Sequence, residues 1–209
     1  MNRRAMSPTR AKSHARASLL AVAVSLAPLV AGCGPAAAPP LQGASIGGPF
    51  ELVDSDGETV RWSDFDGRYR IVYFGYAYCP DVCPYDVQRM MRGYNRFKEA
   101  APELAAQVQP IFITIDPARD TPAVVGEFTA AFSKDLLGLT GTPAQVAQAA
   151  KAFGAYYEKG EESAAGGYLM DHSRATVLLG RQGEPLALLP VEVEDEGEAV
   201  AAELATWVS

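Results

Sequence analysis

Cysteine and histidine are scarce in this sequence, with three cysteines and two histidines among 209 residues. Basic side chains are outnumbered as well, 18 against 25 acidic ones, and five of them (Arg3, Arg4, Arg10, Lys12, Arg16) lie in an acid-free opening stretch. Without that stretch thirteen basic residues face twenty-five acidic ones, a net charge of −12, which argues against nucleic acid or anionic lipid as a partner. A membrane-spanning helix is also missing from the opening segment, because the apolar run Leu19 to Val30 is well short of the ~20 residues such a helix needs. No internal repeat occurs, and the length suits one domain of ordinary size with a full hydrophobic core once the ends are set aside.

The opening residues do contain a basic stretch followed by that apolar run, the layout of an export signal. It ends Leu29-Val30-Ala31-Gly32-Cys33, which resembles the lipobox of bacterial lipoproteins, where the cysteine is lipidated and becomes the new N-terminus. The resemblance implies a signal peptide over residues 1–32, lipidation of Cys33, and a membrane anchor through its acyl chains. The protein is then expected outside the cytoplasm, on the periplasmic face in a Gram-negative cell. Gly34 to Ser45 is small, proline-rich and uncharged, so residues 33–45 read as lipidated cysteine and extended tether, and residues 46–209 as the folded domain. With Cys33 in the lipobox and His14 in the signal, that domain keeps two thiols, Cys79 and Cys83, and one histidine, His172.

Both thiols fall in one stretch, Ile71 to Tyr85 (IVYFGYAYCPDVCPY). The β-branched and aromatic run Ile71 to Phe74 meets Gly75, as a buried strand does before a loop. Pro84 opens a segment, Tyr85 to Glu99, with the apolar spacing of an amphipathic helix. The sulfurs therefore sit where a strand hands over to a helix, near unpaired N–H groups and a positive dipole end that favour thiolate over thiol. Cysteines four apart suit either a two-sulfur metal clamp or a disulfide. A disulfide here would close almost no loop and stabilise little, so the spacing favours reactivity over reinforcement.

The rest of the chain alternates strand and helix. Phe50 to Val53 and Thr59 to Trp62, turning at Asp56-Gly57, read as a hairpin, and a polar connection from Ser63 to Arg70 leads to the first buried strand. Gln109 to Ile115 reads as a second buried strand, stopped at Asp116-Pro117. Thr121-Pro122 and Thr142-Pro143 look like N-caps with proline in the first turn, opening helices to about Phe132 and Phe153. Leu136 to Leu139 and, more weakly, Ala155 to Glu158 are short strand candidates. Glu158 to Gly167 is a charged, glycine-rich loop without an apolar anchor and is expected to move, Thr176 to Leu179 with Leu186 to Leu189 reads as a second hairpin, and Glu196 to Trp207 as a closing helix. This order predicts an α/β fold, a mixed central sheet flanked by helices with hairpins added in the N-terminal part and the C-terminal half. A reactive cysteine pair at the end of its first central strand resembles the thioredoxin superfamily, with the site at the carboxyl ends of the strands.

The resemblance narrows further on four segments: Tyr73-Phe74-Gly75-Tyr76-Ala77-Tyr78-Cys79-Pro80-Asp81-Val82-Cys83-Pro84, Thr114-Ile115-Asp116-Pro117-Ala118-Arg119-Asp120-Thr121-Pro122, Gly138-Leu139-Thr140-Gly141 and Tyr168-Leu169-Met170-Asp171-His172-Ser173. In order and approximate spacing they resemble the Sco/SenC family, across essentially all of residues 46–209. The resemblance implies a thioredoxin-like domain that binds one copper ion, as Cu(I) or Cu(II), through Cys79, Cys83 and His172. It further implies a metallochaperone that helps to assemble the dinuclear copper site of cytochrome c oxidase subunit II, by copper transfer, by reduction of the target cysteines, or by both. An upstream copper donor protein and a thioredoxin-like reductant are the other partners so implied.

The donor set makes chemical sense of that expectation. Soft thiolates select Cu(I), an imidazole extends tolerance toward Cu(II), and three ligands leave an open side for transfer. A closed structural zinc site would want a fourth Cys or His, which the domain lacks. Asp81, Asp116 and Asp171 are the candidates for carboxylates close around the ligands. The rival reading is a thiol-disulfide oxidoreductase in which Cys79 and Cys83 are the catalytic redox pair, with a copper or redox sensor as a third; CxxxC is one residue wider than the usual thioredoxin spacing. A peroxiredoxin is disfavoured, because Tyr76 and Pro80 stand where an activating threonine would precede Cys79 or Cys83.

Overall fold

The computed structural model describes residues 37–163 and 167–209. The signal segment, the lipobox with Cys33 and residues 164–166 of the charged loop lie outside the described residues. Among the described residues no helix is long and apolar enough to cross a membrane.

A five-stranded mixed sheet forms the centre. Its strands are β3 (Tyr69–Gly75), β4 (Val108–Thr114), β5 (Leu137–Leu139), β8 (Thr176–Leu179) and β9 (Pro185–Leu188), in the order β5-β4-β3-β8-β9. β3, β4 and β5 run parallel, while β8 is antiparallel to β3 and to β9. The parallel pairs need helical returns, supplied by α1 (Val82–Ala100), the short α2 (Pro102–Ala105) and α3 (Pro122–Ala130). β3 is buried along its whole length, covered on both faces, which is why it reads as a continuous apolar run.

Side-chain alternation along β3 distributes the helices. Phe74 meets Phe153 of α4 (Pro143–Phe153), ring centroids 5.4 Å apart, on one face. Tyr73 points to the other, stacking on Phe112 of β4, which in turn packs on Phe128 of α3. On that second face α1 lies beside the closing helix α5 (Glu198–Trp207). Two small antiparallel sheets complete the fold: β1 (Glu51–Val53) with β2 (Thr59–Arg61), and β6 (Tyr157–Lys159) with β7 (Met170–His172).

The capping chemistry explains several boundaries. Thr121 Oγ accepts from Val124 N–H at the start of α3, and Thr142 forms a reciprocal capping box with Gln145 at the start of α4. Three elements differ from the sequence-based expectation. Helix α1 starts at Val82, so Cys83 lies inside its first turn. The polar connection before β3 contains a 3-10 turn, Trp62–Phe65, that buries Phe65. The stretch expected to be an extended tether is partly held: Leu41 N–H donates to Leu186 O at 3.0 Å and its side chain packs on the core, because an apolar residue there finds an apolar surface within reach.

Candidate metal centre

Cys79 is delivered by the loop after β3, and Cys83 by the first turn of α1. Gly75, the last residue of β3, clears the space: a Cβ there would stand 3.2 Å from Cys83 Sγ and 2.8 Å from the Tyr73 ring. Backbone N–H groups at the helix entrance then point at sulfur, Cys83 N–H lying 3.4 Å from Cys79 Sγ. Cys83 is fully buried and Cys79 partly exposed, and neither is in a disulfide.

His172 arrives from the other side, at the end of β7. Its Nδ1 faces the carbonyl oxygen of Ser173 at 2.9 Å, so Nδ1 carries the proton and donates. The lone pair of Nε2 is left toward Cys83 Sγ, 3.1 Å away. The ring is held edge-on by Tyr73 and Tyr76, with centroids at 6.3 and 5.9 Å. The ligand atoms of Cys79, Cys83 and His172 all lie within 4.8 Å of one another, a spread that one metal ion can bridge.

The two sulfurs are electrostatically unequal. A hydrogen bond from Cys83 holds Cys79 far below the ordinary thiol range, helped by backbone N–H groups of Asp81 and Cys83, against the opposing effect of burial. The same hydrogen bond, together with burial, pushes Cys83 far up. The metal-free reduced pair is therefore a thiolate at Cys79 and a thiol at Cys83.

The acidic candidates separate. Asp81 is exposed and makes no side-chain cap bond to α1; its backbone, not its carboxylate, serves the site. Asp171 is exposed and stands opposite Glu158 in the β6–β7 ladder, on the strand face away from His172, because neighbouring strand residues alternate. Asp116 is buried and engaged away from the sulfurs: Oδ2 accepts from Arg119 Nε at 2.5 Å and Oδ1 from the Tyr168 hydroxyl at 2.8 Å.

Two other carboxylates do more near the sulfurs. Asp120 is fully buried and accepts from Ala77 N–H (2.9 Å), in the cysteine loop, and from Thr114 Oγ1 (2.6 Å); burial raises its pKa. Asp86, fully buried on α1, accepts from Tyr73 OH at 3.1 Å and from the fork of Arg174 at 2.8 and 2.6 Å. A signal for Asp86 existed in the sequence: it lies three residues after Cys83 and four before Met90, on the apolar stripe of α1, where a carboxylate demands a partner.

Fold and site together define a thioredoxin-like domain with a Cys2His cluster, able to hold a metal ion, at the carboxyl end of its central strand. The SCO1/SenC family profile matches residues 38–209, and the chain belongs to that family. It is 44% identical to Protein SenC of Rhodobacter capsulatus over 139 residues, 65% of this chain and 59% of that protein. With the human SCO1 homolog, a mitochondrial protein, it shares 36% over 163 residues, 77% of this chain and 52% of that one. The chain thus spans little more than half the length of these curated relatives. Among solved structures it superposes on Arabidopsis thaliana ScoI with copper bound at a TM-score of 0.68 and 32% identity, covering 78% of this chain and 99% of that one.

Proposed function

We propose that this chain is an extracytoplasmic copper metallochaperone that holds one copper ion between Cys79, Cys83 and His172 and serves assembly of the dinuclear copper site of cytochrome c oxidase subunit II. The observation that carries the reading is the convergence of two sulfurs and Nε2 within 4.8 Å. The chemistry of the donors supports it: two thiolates satisfy Cu(I), and the imidazole adds a ligand that Cu(II) prefers. Copper is the cargo, and with three protein ligands its remaining side stays open to a donor group of the receiving protein. The proposal includes delivery from an upstream copper donor protein, lipidation of Cys33 and attachment to the outer face of the cytoplasmic membrane or the periplasmic face of another.

This chain's residues prepare the site for loading and release. Cys79 offers a ready thiolate, Cys83 gives up its proton as copper binds, and the carbonyl of Ser173 fixes the imidazole tautomer that presents Nε2. The inequality of the sulfurs favours a second role for the same pair. A partly exposed Cys79 thiolate attacks a disulfide, forming a mixed disulfide, and Cys83, once deprotonated, displaces it to form Cys79–Cys83 while the target leaves as a dithiol. Copper-loaded and oxidised forms exclude one another.

An anaerobic titration of the reduced full chain with Cu(I) against a competing chelator tests the reading. One tightly held copper per chain, lost when either cysteine is replaced by serine, is expected. Failure to retain copper while Cys79 and Cys83 cycle readily with a dithiol leaves the thiol reductase reading in its place.

A further inference from the structure

Building on the metal-site reading, we propose that Arg119 is a positioning residue for His172, clasping the segment that carries the third ligand to the segment that carries the first. Arg119 follows the carboxyl end of β4 and reaches into both. Its Nε donates to Asp116 Oδ2 (2.5 Å) and its Nη1 to the backbone oxygen of Tyr168 (3.0 Å). Its guanidinium lies 3.6 Å from the centroid of the Tyr168 ring, a stacking distance. The Tyr168 hydroxyl closes the loop by donating to the other Asp116 oxygen at 2.8 Å.

The same guanidinium lies 5.2 Å from the ring of Tyr78 and 5.7 Å from that of Tyr76. Tyr78 is the residue before Cys79. Tyr76 accepts the N–H of Met170 at 3.2 Å and presents its ring to His172. One cation thus sits among three aromatic rings, two from the cysteine loop and one from the histidine strap, which begins at Tyr168 and ends at His172 four residues on.

Three features make this more than a surface ion pair. Asp116 is 3% exposed, so its charge needs Arg119 beside it. Arg119 Nη2 is buried without a partner, a cost the stacked orientation sustains. The strap belongs to the β6–β7 sheet, which shares no ladder with the central sheet among the described residues, so side-chain contacts such as these set the distance from His172 to the sulfurs.

The expected signature separates the two oxidation states. Cu(I) is satisfied by two thiolates, whereas Cu(II) leans on the imidazole. In the reduced full chain in detergent, Arg119→Gln is expected to lower Cu(II) affinity by about 10- to 100-fold, the range for partners that orient a metal ligand. Cu(I) affinity is expected to stay unchanged, and the Cu(II) form to lose nitrogen hyperfine structure in its electron paramagnetic resonance spectrum. Arg119→Lys keeps the charge facing Asp116 but loses the planar fork, and is expected to behave like Arg119→Gln; Tyr168→Phe keeps the stacking and is expected to fall between it and the wild type. Wild-type Cu(II) affinity and spectrum in Arg119→Gln, or equal losses for Cu(I) and Cu(II), would overturn the proposal. Should the wild-type chain bind no copper, the metal-site reading fails separately, and amide exchange decides on the clasp: faster exchange at Met170 and Ser173 in Arg119→Gln supports it, and unchanged exchange overturns it.

Discussion

Nε2 of His172 lies 3.1 Å from Sγ of Cys83, while the opposite ring nitrogen is committed to the carbonyl of Ser173. The lone pair is therefore aimed before any metal arrives. Replacing His172 by alanine is expected to weaken Cu(II) binding by at least about tenfold and Cu(I) binding much less. Competition titrations with chelators specific for each oxidation state check this, and unaltered Cu(II) affinity removes the histidine from the site.

The unequal sulfurs predict an unequal pH response. Cys79 is held low by the Cys83 hydrogen bond and Cys83 is raised by the same contact, so of these two thiols Cys79 should be the one alkylated in the reduced chain. Its rate should stay flat well below the ordinary thiol pKa of about 8.5. The linked stability follows in sign. Between about 3, to which Cys79 is lowered in the fold, and that value the unfolded chain holds a proton on Cys79 that the folded chain lacks, so stability rises with pH. Above it the folded chain retains the Cys83 proton that the unfolded chain has released, and stability falls. Mass-resolved alkylation and melting curves of the metal-free reduced chain read both; a rate that climbs tenfold per pH unit up to pH 8 contradicts the assignment.

Gly75 predicts a local packing effect. Its missing side chain leaves room for the Tyr73 and Phe112 rings and for the Cys83 sulfur. Gly75→Ala is expected to cost about 1–3 kcal/mol through overpacking and to weaken copper retention together with stability. Urea denaturation and the Cu(I) competition titration, run side by side, show whether the two losses coincide.

The buried carboxylate of Asp86 predicts an asymmetry between its partners. Arg174→Ala strands a charge that is wholly out of water, and is expected to destabilise by about 3 kcal/mol. Tyr73→Phe removes one hydrogen bond while the Arg174 fork remains, and should cost only about 1 kcal/mol. Equal losses in chemical denaturation would mean that the tyrosine compensates the carboxylate as much as the arginine does, and would overturn the asymmetry.

Much of this was legible in residue order. The apolar run before Gly75, the Thr-Pro caps at Thr121 and Thr142 and the spacing of the cysteines are local signals, and they produce local structure in the expected places. The β6–β7 pairing was only half visible, because Tyr157–Lys159 and Met170–His172 carry little strand propensity and are joined by tertiary placement. The acidic residues were harder. Asp81 and Asp171 adjoin ligands in sequence yet face solvent, since a strand turns neighbours to opposite sides and a helix entrance uses the backbone. Asp120 and Arg119 carry no local signal of their roles, because their partners, Ala77 and Tyr168, lie more than forty residues away.

The separate β6–β7 sheet divides the three residues of the candidate metal centre between two leaves of different stiffness. Cys79 and Cys83 both follow the end of a strand bonded on both sides, whereas His172 rides on a two-stranded leaf in which Glu158 and Asp171 face one another with like charge. Sliding the thin leaf breaks no hydrogen bond of the central ladder. Withdrawing His172 would break the Arg119–Tyr168 and Tyr76–Met170 hydrogen bonds but leave the cysteine loop and the central ladder in place, so such a displacement is a motion of the folded protein and not a step toward unfolding it.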